Sequence, residues 1–295
     1  MLLDPQFLAE QVLNSLQFSM LLFLIAIGLS VVFGLLDYLN LSHGTVYMFA
    51  AYVAFTITQH GGSFWSALAL APLVAAATGT LLYFLLLKRA ERGGHLTQVL
   101  LTVGVIYIGT ELIRVVYGDL PKGVAQPESL VGTVMLIGIP YPRYRLFIIA
   151  LGLVVMIALH FAMERTRLGA LVRAGVDDRT TAETLGIDIA KVFALVFAIG
   201  TYLAGVAGVV AAPIFGVYPG MDVSIIILVL IVVVVGGLGS LRGVIVGSLL
   251  IGFADTFGKI LLPQFAMIMI YLVMALVLIF RPSGLMPARR LSGMG

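Results

Sequence analysis

From Tyr38 to Leu87 the chain carries no Asp, Glu, Lys or Arg. A helix that crosses a bilayer needs about 20 mostly apolar residues, so this one stretch holds two crossings. The rest of the chain keeps the same bias: 61% of its 295 residues are hydrophobic and 11% charged. A soluble domain carries about 25% charged residues. A transmembrane barrel would instead alternate apolar and polar residues in segments of about 10, and these runs are continuously apolar. The sequence therefore specifies an all-α, polytopic transmembrane helical bundle.

Charge clusters and turn residues divide the chain into apolar segments at about 12–36, 41–60, 64–87, 96–116, 146–163, 192–215, 223–241, 243–258 and 260–280. Eight or nine of them cross the membrane, and the short segment after the glycine-rich junction Gly236 to Gly243 sets the uncertainty in that number. No cleavable signal peptide is evident, because Asp4 and Glu10 stand where a basic n-region belongs. Lys and Arg favour cytoplasmic loops. Lys88, Arg89 and Arg92, the group from Arg165 to Lys191, Arg242, and Arg281 with Arg289 and Arg290 fall on one side if nine segments cross from an outside N-terminus. That places the C-terminus in the cytoplasm and the Pro- and Gly-rich stretch 117–145 outside. With its basic residues read as topology signals, the net charge of +3 does not point to nucleic acid.

Inside the uncharged stretch, "LLDYLNLSHGTVYMFAAYV" interrupts the apolar run with Asp37, Asn40, Ser42 and His43 before Gly44. Three readings fit. The segment is a cytoplasmic turn whose polar groups meet water, with Asp37 as cap. Or Asn40 and Ser42 hydrogen-bond a neighbouring helix, at about 0.6–2 kcal/mol each. Or a broken helix puts freed backbone and His43 along a substrate path, since irregular backbone at membrane depth survives only inside protein or beside a cavity. Gly236, Gly237 and Gly239 pose the same choice between close helix packing and a second break. If the two breaks meet, their half-helix N-termini suit a carboxylate. Glu111 with Arg114, at i, i+3, and Asp255 with Lys259, at i, i+4, have the spacing of self-neutralising pairs. His43, His60, His95 and His160 are scattered without metal-ligand spacing, and no residue is a candidate for catalysis.

The densest charge lies in "ERTRLGALVRAGVDDRTTAETLGIDIAKV", Glu164 to Val192. Leu168, Leu171 and Val172 share one helical face. Gly175 is placed to end that helix, and Asp177 or Asp178 to cap a second, with Thr180 and Glu183 in capping-box spacing. Gly186 supplies the stop. Two short helices carrying small Ala170, Ala174 and Ala182 exceed what a linker needs, and short exposed helices are marginal alone. The 164–191 excursion reads as a docking element for a cytoplasmic partner.

Its core, "RAGVDDRTTAETLGID", resembles the coupling-loop signature of permeases in branched-chain amino acid ABC importers, with Arg173, Ala174, Asp178, Ala182, Leu185, Gly186 and Ile187 at the matching positions. Gly28, Leu29, Phe33, Gly34, Asn40, His43, Gly44, Met48, Ala51 and Tyr52 are similar to that family's N-terminal pattern, with Ala50 where a glycine is usual. "GGLGSLRGVIVGSLLIG" and "RPSGLM" resemble its closing segments, so the likeness to the LivH family spans about residues 13–287. The resemblance implies a single permease domain in the bacterial inner membrane, forming half of a path for branched-chain amino acids or similar small polar solutes. It also implies a second homologous permease, two cytoplasmic ATPases and a soluble solute-binding protein outside. No phosphate loop of the form G-x-x-x-x-G-K-[ST] occurs, so no cofactor is expected on this chain and ATP with magnesium belongs to the partners. Coupling is expected at Arg173, Ala174, Asp178, Glu183, Leu185 and Gly186. The substrate path is expected at Asn40, Ser42, His43, Gly44, Gly236, Gly237 and Gly239. The rival reading is a secondary transporter or a urea- or amide-type channel.

Overall fold

A computed structural model describes residues 4–36, 40–90, 93–136 and 138–287. Asp37, Arg92, Arg289 and Arg290 lie outside the described residues. The helices are α1 (Pro5–Leu36), α2 (His43–Gln59), α3 (Phe64–Leu82), α4 (Lys88–Ala90), α5 (Gly94–Tyr117), α6 (Arg143–Arg165), α7 (Arg167–Asp177), α8 (Arg179–Thr184), α9 (Ile189–Phe215), α10 (Met221–Gly236), α11 (Leu241–Leu261) and α12 (Ala266–Phe280). A π-helical stretch, Tyr83–Leu87, joins α3 to α4. All nine apolar segments fall on helices. Among the described residues, six helices are long and apolar enough to span a membrane, and α10 and most of α12 form shorter apolar helices.

Two helices sit at the centre. α1 is buried almost continuously from Met20 to Leu29, and α9 from Leu203 to Ala212. A hydrophobic driving force is absent between helices in lipid, so close approach of small residues supplies the packing. The crossing of α1 and α9 shows it: a Cβ placed on Gly28 would sit 2.4 Å from the Gly200 carbonyl oxygen. α11 meets α1 the same way, where a Cβ on Gly252 would overlap Ser19. Some hydroxyls within these helices are satisfied by donating back one turn, as Ser19 does to the Ser15 carbonyl (2.7 Å) and Thr201 to that of Phe197 (2.8 Å), whereas the buried Ser30 hydroxyl has no partner among the described residues. α5, α6 and α12 are peripheral, and Tyr107, Val115, Ile157 and Phe280 are exposed on them.

The two ends of the bundle differ in chemistry. At one, the start of α9 gathers the end of the π-helical stretch, α7 and α8 into a satellite core of Leu87, Val172, Ala182, Ile189 and Phe193. The α10–α11 turn lies at this end too, because Arg242 and Glu164 approach to 4.0 Å. We call it the basic end. At the opposite end, the Pro- and Gly-rich stretch 117–145 contains a hairpin. Its strands β1 (Thr133–Leu136) and β2 (Ile139–Pro142) pair antiparallel with Thr133 opposite Pro142. Lys122 bridges Val217 through the backbone, and Tyr141 and Arg145 both donate to Asn14 Oδ1 at the start of α1. Both self-neutralising pairs form: Arg114 to Glu111 and Lys259 to Asp255, each at 2.6 Å.

Candidate functional site: an interior helix start and a capped excursion

The first region surrounds the start of α2. Asn40, Ser42 and His43 are only 1%, 2% and 0% exposed, so the reading in which they meet water is not what the structure shows. α2 begins inside the bundle. The His43 ring lies against the place where α1 and α9 touch, with its Cε1 3.1 Å from a Cβ placed on Gly28. Gly28 precedes the Leu36 end of α1 by eight residues, about 12 Å of helix at 1.5 Å per residue. Gly200 lies eleven residues beyond the start of α9, about 16 Å of helix, and Gly34, six residues beyond Gly28, meets Gly239 of the α10–α11 turn.

The polar groups there are partly satisfied. Ser42 donates to Asn40 Oδ1 (2.5 Å), and His43 Nε2 meets the Ile25 carbonyl (3.2 Å). Asn40 Nδ2 and His43 Nδ1 are buried without a hydrogen-bond partner. Ser42 gives α2 no side-chain cap, leaving the positive end of the helix dipole facing the interior.

Two residues further along α2, Thr45 meets a carboxylate that sequence reasoning passed over. Asp222 is 0% exposed and accepts from Thr45 Oγ1 and Thr110 Oγ1, each at 3.1 Å to Oδ2. It sits in the first turn of α10, where a negative charge complements the dipole. The Asp222 carbonyl lies 2.5 Å from a Cβ placed on Gly44, so α2 and α10 approach backbone to backbone. One carboxylate thereby ties α2, α5 and α10 together. A signal was available: Asp222 is the only charged residue between Lys191 and Arg242, and charges inside spans are default functional candidates. Thr45 also lines a cavity of about 460 Å³ between α2, α3 and α5, whose other walls include Phe49, Leu81, Ile108 and Leu112.

Gly236, Gly237 and Gly239 pack elsewhere. A Cβ on Gly236 would meet the Gly243 carbonyl at 2.2 Å, one on Gly237 would meet Met286 and Pro287 at 2.9 Å, and one on Gly239 would meet Gly34 at 2.8 Å. The α10–α11 junction is a close packing of backbones against the basic end of α1, not a second break beside His43. The helix start that does join α2 is that of α10, after Gly220 in the left-handed region.

The second region is the excursion at the basic end. α7 runs through Gly175 to Asp177 rather than ending at the glycine. Val172 and Val176 continue the apolar face onto the satellite core across that position, so the helix has no reason to stop. Asp178 then caps α8 as expected, but through Thr181: its Oδ1 accepts from the Thr181 amide (3.0 Å) and its Oδ2 from the hydroxyl (2.5 Å). These bonds hold its carboxyl below the usual aspartate range. The cap is therefore intact at neutral pH and weakens only as the pH falls through that lowered value. Asp188 caps α9 likewise and pairs with Lys191 at 3.0 Å.

α7 and α8 present one anchored and one open face. Leu168, Val172, Ala174 and Ala182 pack inward, and Arg173 donates to the Met163 carbonyl at the end of α6. Glu183 is on the exposed side. Leu185 follows α8 with 76% of its surface open, immediately before Gly186 at φ +84°.

A bundle of helices long and apolar enough to span a membrane, with small-residue crossings, an interior helix start and an anchored excursion at its basic end, is the architecture of a polytopic membrane protein. A family profile described as "Branched-chain amino acid transport system / permease component" matches residues 11–278, and the chain belongs to that family. It is 29% identical to the high-affinity branched-chain amino acid transport system permease protein BraD of Pseudomonas aeruginosa, over 94% of this chain and 95% of that protein. It is 26% identical to LivH of Escherichia coli, over 96% and 97% of the two chains. Identity to LivM of Escherichia coli, another permease protein of a high-affinity branched-chain amino acid transport system, is 30% over 92% of this chain and 69% of that one.

Proposed function

We propose that this chain is one permease subunit of an ATP-driven importer, forming half of a path for branched-chain amino acids or similar small polar solutes. The family match over residues 11–278 carries the reading. It lends nothing to the rival of a secondary transporter or channel. Similarity to both LivH and LivM supports a second, related permease as partner. Two cytoplasmic ATPases supply ATP and magnesium chemistry, and a soluble binding protein delivers solute from outside. The N-terminus is outside, the basic end is cytoplasmic, and 117–145 faces the binding protein.

Within this reading the 164–191 excursion receives an ATPase. Its support is physical: an apolar side chain is held open on two capped helices whose other face is fixed to the bundle. Arg173 and Ala174 anchor it, Asp178 caps it, and Glu183, Leu185 and Gly186 form the presented surface. The path runs beside Asn40, Ser42, His43 and Gly44, at the start of α2, where Asn40 Nδ2 and His43 Nδ1 are buried without a hydrogen-bond partner. The apolar cavity next to Thr45 has the chemistry a branched aliphatic side chain needs.

Proteoliposomes test the reading. With both permeases, the ATPases, internal ATP and loaded binding protein, they are expected to accumulate leucine, isoleucine or valine. This chain alone is expected to accumulate none, and accumulation by it alone would refute the proposal. In the full assembly, Asp178→Ala is expected to cut uptake several-fold while ATP hydrolysis persists. Asp178→Asn is expected to retain uptake, because asparagine caps a helix as well as aspartate does. Equal loss in both variants would show that charge, not the cap, matters.

A further inference from the structure

A second cavity, of about 500 Å³, opens at the basic end between α1, α6, α7 and the α10–α11 turn. That size lies within the ~300–1,000 Å³ of ligand pockets. Its walls change character with depth. On α1 the lining runs Phe23, Ile27, Val31 and Gly34, a single face spanning eleven residues, about 16 Å of helix. Met156 and Leu159 of α6 and Ile245 of α11 complete the apolar floor. At the mouth stand Arg173, Arg242, His160 and Glu164, with Ser240 at the start of α11.

The mouth is electropositive despite its one acid. Arg242 comes no nearer than 4.0 Å to Glu164, and its side chain is 79% exposed. A guanidinium has five N–H donors, so that contact leaves most of them available on Arg242, and among the described residues the bond of Arg173 to the Met163 carbonyl engages one nitrogen of its own guanidinium. The N-terminus of α11 adds the positive end of its dipole at the same rim. A long apolar slot within the spanning region, closed by two arginines and a helix start at the boundary, matches an acyl chain with a phosphate above it. Basic pockets between helices on the cytoplasmic side are recognised sites for anionic head groups.

We infer that this cavity holds one anionic phospholipid, its acyl chain along Phe23, Ile27 and Val31 and its phosphate at Arg173 and Arg242. The lipid bridges α7 to α11 and so fixes the root of the excursion to the bundle. The inference goes beyond the transport reading, and lipid binding is read without any transport measurement.

Native mass spectrometry of the purified full chain tests it, with dioleoyl phosphatidylglycerol and dioleoyl phosphatidylcholine titrated in competition. One phosphatidylglycerol is expected to be retained in at least tenfold preference. Arg173→Gln with Arg242→Gln is expected to abolish the preference. Val31→Phe, which fills the slot, is expected to lower retention of both lipids without moving the melting temperature of the detergent-solubilised chain. Equal retention of the two lipids, or undiminished preference in the double variant, would overturn the inference. So would loss of the lipid on assembly with the second permease, which would show that a protein face covers the cavity.

Discussion

Leu185→Asp is expected to reduce ATP-driven uptake at least tenfold while leaving the melting temperature of the isolated chain unchanged. The stability half of this expectation follows from exposure: with 76% of its surface open, Leu185 contributes little to the fold. The transport half follows from the proposed contact. Burying a leucine side chain is worth about 1.5–3 kcal/mol, and burying a carboxylate in its place without a partner is unfavourable. A tenfold change in affinity corresponds to about 1.4 kcal/mol, so the loss of the leucine alone reaches that mark. Leu185→Met, which keeps volume and polarity, is expected to transport within about twofold of the native chain. Normal uptake with aspartate at this position would remove Leu185 from the contact.

The second large effect concerns the crossing of α1 and α9. Gly28→Leu is expected to prevent accumulation of folded chain. Even the first added carbon would sit 2.4 Å from the Gly200 oxygen, and both groups are backbone of buried helices, so neither yields as a side chain tip would. Ordinary overpacking costs about 1–3 kcal/mol. A leucine here exceeds that, because it also pushes on the His43 ring. The control is Gly104 on α5, where a Cβ meets nothing within 4 Å. Gly104→Leu is expected to fold normally or gain stability, since leucine is the better helix former. Fluorescence-detected size exclusion of tagged variants reads both. A monodisperse Gly28→Leu chain at native yield would contradict the crossing described here.

Much of this architecture is legible in the residue order. Continuous apolar runs located all six helices that, among the described residues, are long and apolar enough to span, because length and the absence of charge are what a bilayer selects. The cap at Asp178 and the pairs Glu111–Arg114 and Asp255–Lys259 were legible because each depends on neighbours in sequence. Gly175 misled for the opposite reason: whether a glycine ends a helix depends on what packs across it, and Val176 packs onto a core built from other segments. The hairpin at 133–142 was hidden by its prolines and glycines, which read locally as loop. Asp222 was missed because its partners Thr45 and Thr110 come from α2 and α5, far away in sequence. The glycines of the α10–α11 junction carried two readings, and their contacts with Gly34, Gly243 and Pro287 lie beyond any local pattern.

The absence of cysteine from the chain makes one test unusually direct. A single Leu185→Cys variant, expressed with the second permease, is labelled with a membrane-impermeant maleimide in inside-out and right-side-out vesicles. Labelling is expected only in inside-out vesicles and is expected to be blocked when the ATPase subunits are added. Labelling from the outer face, or undiminished labelling in the presence of bound ATPases, would contradict the assignment of this surface as the place where ATP hydrolysis is coupled to the gate.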